Sequence, residues 1–488
     1  MNPAIEILDW TAWFTAAAII IMMGALVRGI ARPEYLFLGV LVLFLLTGIV
    51  TPVQALAGFT STTVITVGSL FIVAAGVQQS SLFTWLEKVL IPKKKHTGRL
   101  LLRMMGSTSV MSSFLNNTPI VAMFIPQLES WAERLGIPVS KLLIPLSYAA
   151  ITGGIITLIG TSTNLIVSDM MADRGYAAFH LFQLAWIGIP ATILVILWFV
   201  LVGHKWLPDR PSAARSGGYA VAKSDNRDQT VVYGDYAPAF HKQIFQGNFA
   251  FSASALSGSL PSGVYSRGKT AYRGAGDAGR PDRDADHGTF RRLPGKSSAP
   301  LVVLAIMMGV SVTGLLPIHH AVIGAAVFLI ATGILPFSKA VSAVNFSILI
   351  IIASALSIGR AIENTGLAEG VAFSIIDVTS GLGVILLLAV LYLLTNILTE
   401  MITNNAAAVI MLPIALSASQ TMGLDAQAVG VTVAVAASAS FLTPIGYQTN
   451  LMVMDAGGYT FPDYFKAGLP VTIILMSVTV LMVAWLWT

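Results

Sequence analysis

Cysteine is absent from this 488-residue chain, and charged residues are scarce. The absence of cysteine excludes disulfides, thiol catalysis and cysteine-bound metals. Only 10% of the residues are charged, against about 25% in soluble domains, while 55% are hydrophobic and the mean hydropathy is +0.79. Apolar runs such as Tyr35–Val50 and Leu184–Val202 approach the roughly 17 to 25 residues of a membrane span. The composition therefore predicts an all-α polytopic membrane protein in a lipid bilayer.

Two further observations narrow the function. The GxxxxGK[ST] pattern of a phosphate-binding loop occurs at 263–270, GVYSRGKT, but it lies in the polar middle of the chain without the apolar strand that such a loop follows, so ATP is not expected to drive the protein. The seven histidines avoid the polar motifs described below, so neither a metal centre nor a cofactor is expected. The sequence contains no recognisable combination of nucleophile and base, and no set of metal ligands, that would indicate an enzyme. The net charge of +5 does not indicate a nucleic-acid partner, because it is concentrated in one segment.

That segment is a polar stretch in the middle of the chain. Residues 207–297 contain 13 Lys/Arg and 8 Asp, so the remaining chain is balanced. The stretch has no Glu and no apolar period, which predicts a cytoplasmic loop that is largely disordered. It divides the chain into a first transmembrane repeat, 1–206, and a second transmembrane repeat, 298–488.

The two sides of the loop repeat each other. SSFLNNTPIVAMFIP at 112–126 matches TEMITNNAAAVIMLP at 399–413 without a gap. ITLIGTSTNLIV at 156–167 matches FLTPIGYQTNLMV at 441–453. Six of the twelve asparagines in the chain fall in these segments, so chance is a poor explanation.

Lysine and arginine positions predict the orientation of the repeats. Arg28 and Arg32 follow the first apolar run, and residues 93–95 are a lysine triplet after the third. Lys339 and Lys466 lie at the corresponding turns of the second half. All of these are cytoplasmic if both termini are outside, and the halves are then inverted. Two inverted repeats with about ten spanning helices are typical of a transporter.

Each asparagine pair interrupts an apolar segment, where an unpaired amide costs on the order of several kcal/mol. Charged residues flank both ends of the first such segment, which predicts a re-entrant helical hairpin entered from the cytoplasm; the second is entered from outside. GTSTN at 160–164 and GYQTN at 446–450 predict one broken transmembrane helix in each half. Such breaks supply helix N-termini for an anion and oxygens for Na⁺.

Together, the hairpins and breaks resemble the divalent anion/sodium symporter family of the ion transporter superfamily. TPIGYQTNLMV at 443–453 and GGYTFPDYFKAGLP at 457–470 are most similar to its sulfate-permease branch. The resemblance covers nearly the whole chain except the central loop. It implies a homodimer that moves its substrate by an elevator-like alternation of access.

In that family a Ser-Asn-Thr triplet at each hairpin tip contacts substrate and sodium. The matching substrate-binding positions, together with the residues at the breaks, are Asn116, Asn117, Thr118, Thr161, Ser162, Thr403, Asn404, Asn405, Tyr447 and Gln448. The matching sodium-binding positions are Ser112, Asn117, Gly160, Thr399, Asn404 and Gly446. Glu400, the lone acid near either tip, is either a proton or cation relay or a structural carboxylate held by amides.

The departures from the family pattern bear on the substrate. Asn116 and Thr403 stand where the family has serine, Asn405 stands where it has threonine, and both breaks lack the proline pair of dicarboxylate members. The expected function is a secondary active transporter that imports a small divalent anion, sulfate, with Na⁺ as the coupling ion. The alternatives are a sodium-coupled di- or tricarboxylate symporter, a cation/proton antiporter and a proton-coupled anion permease.

The charge pattern makes the topology testable. We expect both termini outside the cell (inner) membrane and residues 207–297 in the cytoplasm, because lysine and arginine are retained there. The chain has no cysteine, so single cysteines introduced in this loop report its location without background. They should react with an impermeant maleimide only after the membranes are opened. Labelling of the loop in intact cells would reverse the orientation.

Overall fold

The computed structural model of the protein describes residues 9–78, 80, 97–210, 298–379 and 383–487. Every regular element within these ranges is helical, as the composition predicts. The helices of the first half are α1 (Trp10–Val27), α2 (Pro33–Leu46), α3 (Pro52–Ala57), α4 (Thr62–Gln78), α5 (Thr97–Ser112), α6 (Asn117–Leu135), α7 (Leu143–Gly154), α8 (Ser162–Ala172) and α9 (Ala185–Trp206). A 3₁₀ turn at Val139–Lys141 precedes α7, and α9 contains π-helical turns at Phe199–Gly203.

The second half presents its described helices in the same order. They are α10 (Ala299–Val312), α11 (Ile318–Ala331), α12 (Phe337–Ala343), α13 (Phe346–Asn364), α14 (Leu367–Thr379), α15 (Val384–Met401), α16 (Asn404–Met422), α17 (Ala426–Ser438), α18 (Gln448–Gly457) and α19 (Phe461–Trp487). The pair α5–α6 corresponds to α15–α16, and α7–α8 corresponds to α17–α18. The helices thus follow the order of the matched segments; the repeat and its inversion across the membrane stay predictions.

Seven stretches of the described chain are long and apolar enough to cross a membrane. They are Trp10–Val27, Pro52–Gln78, Ala185–Trp206, Phe346–Asn364, Val384–Met401, Asn404–Met422 and Phe461–Trp487. Asn117–Leu135 and Val139–Gly154 form a further candidate bent by 118°. Four shorter apolar helices, α2, α10, α11 and α17, have 13 or 14 residues. Fourteen residues span only about 21 Å, less than the roughly 30 Å hydrocarbon core, so the predicted ten spans include these helices only with their flanking turns.

Both predicted hairpins are helix–turn–helix units with the asparagines at the turn. Helix α6 begins at Asn117 and helix α16 begins at Asn404. Each of the two helices ends at a matched glycine, Gly136 with φ 61° and Gly423 with φ 67°, a left-handed conformation that glycine adopts without strain. Local sequence therefore fixes where each hairpin arm starts and stops. The re-entrant course of the hairpins through a membrane remains a prediction.

The interior of the protein lies around α16, the second arm of the second hairpin, and around α7 and α17, the first part of each broken helix. Every residue of α7 is buried, and 72% of the α16 stretch lies inside the protein. Helix α7 packs against α5, and α17 packs against α15 and α16. In contrast, α1 and α19 expose large apolar side chains such as Trp13, Ile21 and Trp485, as expected for contact with lipid.

The central polar stretch begins with four residues that the structure describes. Ser140 donates to the Pro208 carbonyl at 2.6 Å, and Lys141 pairs with Asp209 at 3.2 Å. Arg210 pairs with Asp463 at 2.8 Å, which joins this stretch to the second half. Residues 207–210 are thus ordered against the helices. Residues 211–297 of the predicted disordered loop lie outside the described chain.

Gly153 sets the distance between α5 and α7. A Cβ atom at Gly153 would lie 2.4 Å from the Ser109 carbonyl oxygen, whereas one at Gly106 would meet nothing within 4 Å. We expect Gly153→Ala to destabilise the protein by about 1 to 3 kcal/mol through overpacking. Gly106→Ala, the control on α5, should be neutral or stabilising by up to about 1 kcal/mol because alanine favours a helix. Thermal unfolding in detergent compares them; equal melting temperatures would contradict the close packing.

Candidate functional site

The tip of the first hairpin meets the break of the second half. The Asn117 side-chain amide donates to the Tyr447 hydroxyl at 2.7 Å. The Thr118 hydroxyl donates to Gln448 Oε1 at 3.2 Å. The N-termini of α6 and α18 therefore lie side by side, although 330 residues separate the bonded pairs.

The tip of the second hairpin meets the break of the first half in the same way. The Asn405 side-chain oxygen accepts hydrogen bonds from Ser162 at 3.1 Å and from Thr163 at 3.0 Å. These contacts bring the N-termini of α16 and α8 together. The two tip–break pairs are also linked, because the side chains of Thr161 and Tyr447 interact. One polar cluster consequently contains residues from both tips and both breaks.

Four helix N-termini converge on this cluster, those of α6, α8, α16 and α18. Each carries the equivalent of about half a positive charge and several backbone N–H groups without a helical partner. One side-chain oxygen caps each of three of these ends: Asn116 caps α6, Thr161 caps α8, and Thr403 caps α16. The α18 end, at Tyr447, has no side-chain cap. The cluster is therefore an electropositive environment made without a charged side chain.

Each hairpin also forms a group of three oxygens, called here an oxygen triad. In the first half the Ser112 hydroxyl lies in hydrogen-bond contact with Asn117 Oδ1 and 2.8 Å from the Ala150 carbonyl oxygen. In the second half the Thr399 hydroxyl lies 2.8 Å from Asn404 Oδ1 and 2.6 Å from the Ala437 carbonyl oxygen. A hydroxyl has one proton and cannot donate to both acceptors. Each triad thus has an excess of oxygen lone pairs, which suits a hard cation.

Asn164 and Asn450 donate hydrogen bonds to backbone carbonyl groups within the two helix breaks. The Asn164 amide donates to the carbonyls of Gly154 and Thr157 at 3.1 and 2.9 Å. The Asn450 amide donates to those of Ser440 and Thr443 at 3.0 and 3.1 Å. These bonds satisfy carbonyls that the breaks would otherwise leave unpaired in a low-dielectric interior. The N–H₂ groups of both asparagines therefore close the helix breaks, while Asn450 Oδ1 accepts from Ser147 and Asn164 Oδ1 has no partner in the described chain.

Gly160 and Gly446 allow the chain to pass close to the ends of α7 and α17. A Cβ atom at Gly160 would lie 2.4 Å from the Gly154 carbonyl oxygen, and one at Gly446 would lie 1.9 Å from Ser440 Oγ. Gly154 in turn lies against the side chain of Asn117. Gly160 thus borders the first hairpin tip through Gly154, and Gly446 lies directly against Glu400 of the second hairpin. Their role as sodium ligands remains a prediction.

Glu400 braces the second break. One carboxylate oxygen accepts the backbone N–H groups of Phe441 and Leu442, both at 2.7 Å, and the other accepts that of Thr443 at 2.9 Å. The Thr443 hydroxyl donates back to the Glu400 carbonyl at 3.2 Å. Three backbone donors engage both carboxylate oxygens, which favours the structural alternative over the relay. Ser113 occupies the matching place in the first half, where its carbonyl accepts from Thr157.

Sequence motifs located the centre of the site but missed several of its members. The carbonyls of Ala150 and Ala437 complete the triads, yet a backbone oxygen has no residue-type signature. Ser147 donates from α7 to Asn450 Oδ1 at 2.7 Å and approaches the Thr449 hydroxyl at 2.8 Å. Only the matched asparagines of the GTSTN and GYQTN motifs gave a signal for this contact.

A helical membrane protein whose interior polar cluster contains paired helix breaks is a transporter of ions or small solutes. Nowhere in the described ranges do three His, Asp or Glu residues group to hold a metal ion. The model of the citrate transporter (CitMHS) family matches residues 17–436. The chain belongs to this family of the ion transporter superfamily, and its relatives are transporters rather than enzymes.

Known relatives extend over most of the chain. An uncharacterized transporter of Synechocystis, sll0640, is 27% identical over 91% of this chain and 92% of its own length. Sodium/sulfate cotransporter 1 of Chlamydomonas reinhardtii is 37% identical over 209 residues, 41% of this chain and 23% of that protein. The crystal structure of the Alcanivorax borkumensis YdaH transporter matches 98% of both chains with a TM-score of 0.53 at 14% identity, a likeness of fold.

The geometry of Glu400 makes its role testable. Glu400→Gln replaces one acceptor oxygen with an N–H₂ group that faces backbone donors, so we expect destabilisation of about 1 to 3 kcal/mol. Glu369→Gln, at an exposed position of α14, is the matched control and should leave the melting temperature unchanged. Thermal unfolding in detergent measures both. An unchanged melting temperature for Glu400→Gln, with a shifted pH profile of transport, would favour the relay instead.

Proposed function

We propose that the protein is a sodium-coupled symporter that imports a compact divalent anion, sulfate, across the cell (inner) membrane by alternating access. The observation that carries the proposal is the convergence of four helix N-termini on side chains that are all neutral. The substrate-binding residues proposed there are those of the two tips and the two breaks. The sodium ligands proposed are the two oxygen triads.

The anion is favoured by the kind of groups that face the cluster. Helix N-termini present backbone N–H groups and positive dipole ends, which together stabilise an anion. Four ends at about half a charge each amount to roughly two positive charges, the charge of one divalent anion. Sulfate presents acceptors in four directions, which suits donors that come from two tips and two breaks.

Two observations favour sodium as the coupling ion: the oxygen triads, and the electrical work of moving a divalent anion into a negatively charged interior. A divalent anion entering alone against 100 mV, negative inside, is opposed by about 4.6 kcal/mol. Two co-transported sodium ions cancel that opposition, and the two triads provide two oxygen-rich positions for them. Rotation of the Asn117 or Asn404 amide by half a turn is the structural alternative, since its N–H₂ group would then donate to the triad hydroxyl without an ion.

Protons are a weaker candidate for the coupling ion. A proton-coupled permease or a cation/proton antiporter needs a titratable group in the site. Glu400 is the one acid at the tips, and three backbone donors already engage its carboxylate. This arrangement leaves neutral oxygens as the groups available to a coupling ion, and these favour Na⁺.

A di- or tricarboxylate substrate is the second candidate, and the description of the family as citrate transporters favours it. Two features of this chain favour sulfate instead. Gln448 and Asn405 fill the contacts between tips and breaks with bulky amides. In addition, the Chlamydomonas relative at 37% identity carries the name of a sodium/sulfate cotransporter. A homodimer with elevator-like motion of the hairpins, as the family resemblance implies, completes the proposal.

Uptake into proteoliposomes tests the function. We expect labelled sulfate to accumulate under an inward sodium gradient and not under an equal potassium gradient. Unlabelled thiosulfate or selenate should compete, whereas succinate and citrate at equal concentration should not. Sodium alone should raise the melting temperature of the protein if it fills the triads. Competition by succinate would indicate a dicarboxylate transporter instead. Sulfate uptake that does not depend on sodium would refute the sodium coupling.

The second asparagine provides the variant for this experiment. Asn404→Ala removes one triad oxygen and one amide donor at the α16 N-terminus, so both ions lose a contact. A loss of about 1 to 3 kcal/mol corresponds to a rise in half-saturation of about 5- to 150-fold. Asn364→Ala is the matched control, because it also removes an amide with hydrogen bonds, to the Ile49 carbonyl and to Gln54, but outside the polar cluster. Normal sulfate and sodium dependence in Asn404→Ala would contradict the site.

A further inference from the structure

The two tip asparagines use their amides unequally. Asn117 donates its amide to the Tyr447 hydroxyl at 2.7 Å. The Asn404 amide nitrogen has no hydrogen-bond partner in the described chain, although Asn404 is only 7% exposed. The sequence explains the difference, because Tyr447 and Thr161 are matched positions in GYQTN and GTSTN. Threonine is too short to reach the opposite tip as tyrosine does.

The N–H₂ group of Asn404 is available to a ligand, because no acceptor of the described chain engages it. A buried donor without an acceptor is unfavourable, and few such groups persist in native structures without a role. Asn404 begins α16, beside the N-terminus of α8, where the helix dipoles also favour an anion. The second tip thus has a donor to give to an anion directly.

Tyr447 changes which hydrogen-bond donors the first hairpin tip can offer to an anion. In its contact with Asn117 the amide is the donor, so the phenol keeps its own proton for another acceptor. The ring places this hydroxyl beside Thr161, on the other half of the cluster. The Asn117 N–H that is bonded to Tyr447 therefore acts on an anion only through the tyrosine hydroxyl, and the ring occupies the space next to Asn117.

We propose that Tyr447 is the specificity-determining residue of the site: its hydroxyl passes the hydrogen bond of Asn117 on to the anion, and its ring closes the position that a second carboxylate would need. The proposal rests on the proposed function. It makes the two repeat-related tips inequivalent, with one compact anion position bounded by the Asn404 amide and the Tyr447 hydroxyl. Such a position accepts a tetrahedral oxyanion and excludes a longer dicarboxylate.

Two variants separate the hydroxyl from the ring. Tyr447→Phe keeps the ring and removes the hydroxyl, so the half-saturation for sulfate should rise about 5- to 150-fold while succinate still fails to compete. Tyr447→Thr gives the second break the residue of the first, and succinate should then compete at least about tenfold better relative to sulfate. Tyr392→Phe is the control, because the buried Tyr392 hydroxyl has no partner in the described part of the chain.

The outcomes distinguish this inference from the proposed function. If the wild-type protein shows no sodium-driven sulfate uptake, the proposed function fails first. If the wild type takes up sulfate and both Tyr447 variants keep its half-saturation and its succinate exclusion, only the role of Tyr447 is refuted. Melting temperatures of all variants in detergent identify loss of folding, and Tyr447→Phe, which preserves volume, remains informative if Tyr447→Thr unfolds.

Discussion

The need to satisfy backbone polar groups where helices break inside a low-dielectric interior governs the rest of this structure. An unpaired N–H or C=O group at that depth costs on the order of several kcal/mol. Asn164 and Asn450 bond carbonyls between the two parts of each broken helix, and Glu400 accepts three N–H groups of the second break. Side chains of the protein thus close the C-terminal side of each break. The helix N-termini on the other side keep backbone donors that a ligand can bind.

The two halves carry similar groups at their tips and breaks, but individual side chains differ both at the cluster and in the support of the breaks. In both halves the triad hydroxyl meets the Oδ1 atom of the tip asparagine, and the asparagine after the break donates to a carbonyl within the break. At the cluster itself, the second half has Tyr447 at the position where the first half has Thr161. A second difference is Ser147, which donates to Asn450 Oδ1, whereas the matched Ala434 has no hydroxyl. Asn164 Oδ1 therefore has no partner among the described residues. The matched contacts of the two halves therefore form a similar frame, in which individual side chains differ.

Sequence alone predicted the helical fold and the turns at the tip asparagines, because composition, matched segments and glycine positions are local signals; the inverted repeat stays a prediction. It did not predict that each tip meets the break of the opposite half. That pairing depends on how two helical units pack, and no residue-type pattern records it. The carbonyls of Ala150 and Ala437 were not predicted for a related reason, because every residue has a backbone carbonyl group. Glu400 illustrates the remaining limit, because its two alternatives differ only in which groups surround the carboxylate.

The chemistry of asparagine explains how one neutral side chain could couple two ions of opposite charge. In each tip the Oδ1 atom belongs to an oxygen triad, while the Nδ2 atom points to the Tyr447 hydroxyl or is free. In the proposed mechanism a sodium ion at Oδ1 polarises the amide and makes its N–H₂ group a stronger donor to the anion. The two ions then bind cooperatively through a group of three atoms, without direct contact. A serine offers a single oxygen for both tasks, and a carboxylate would repel the anion, so neither residue reproduces this linkage.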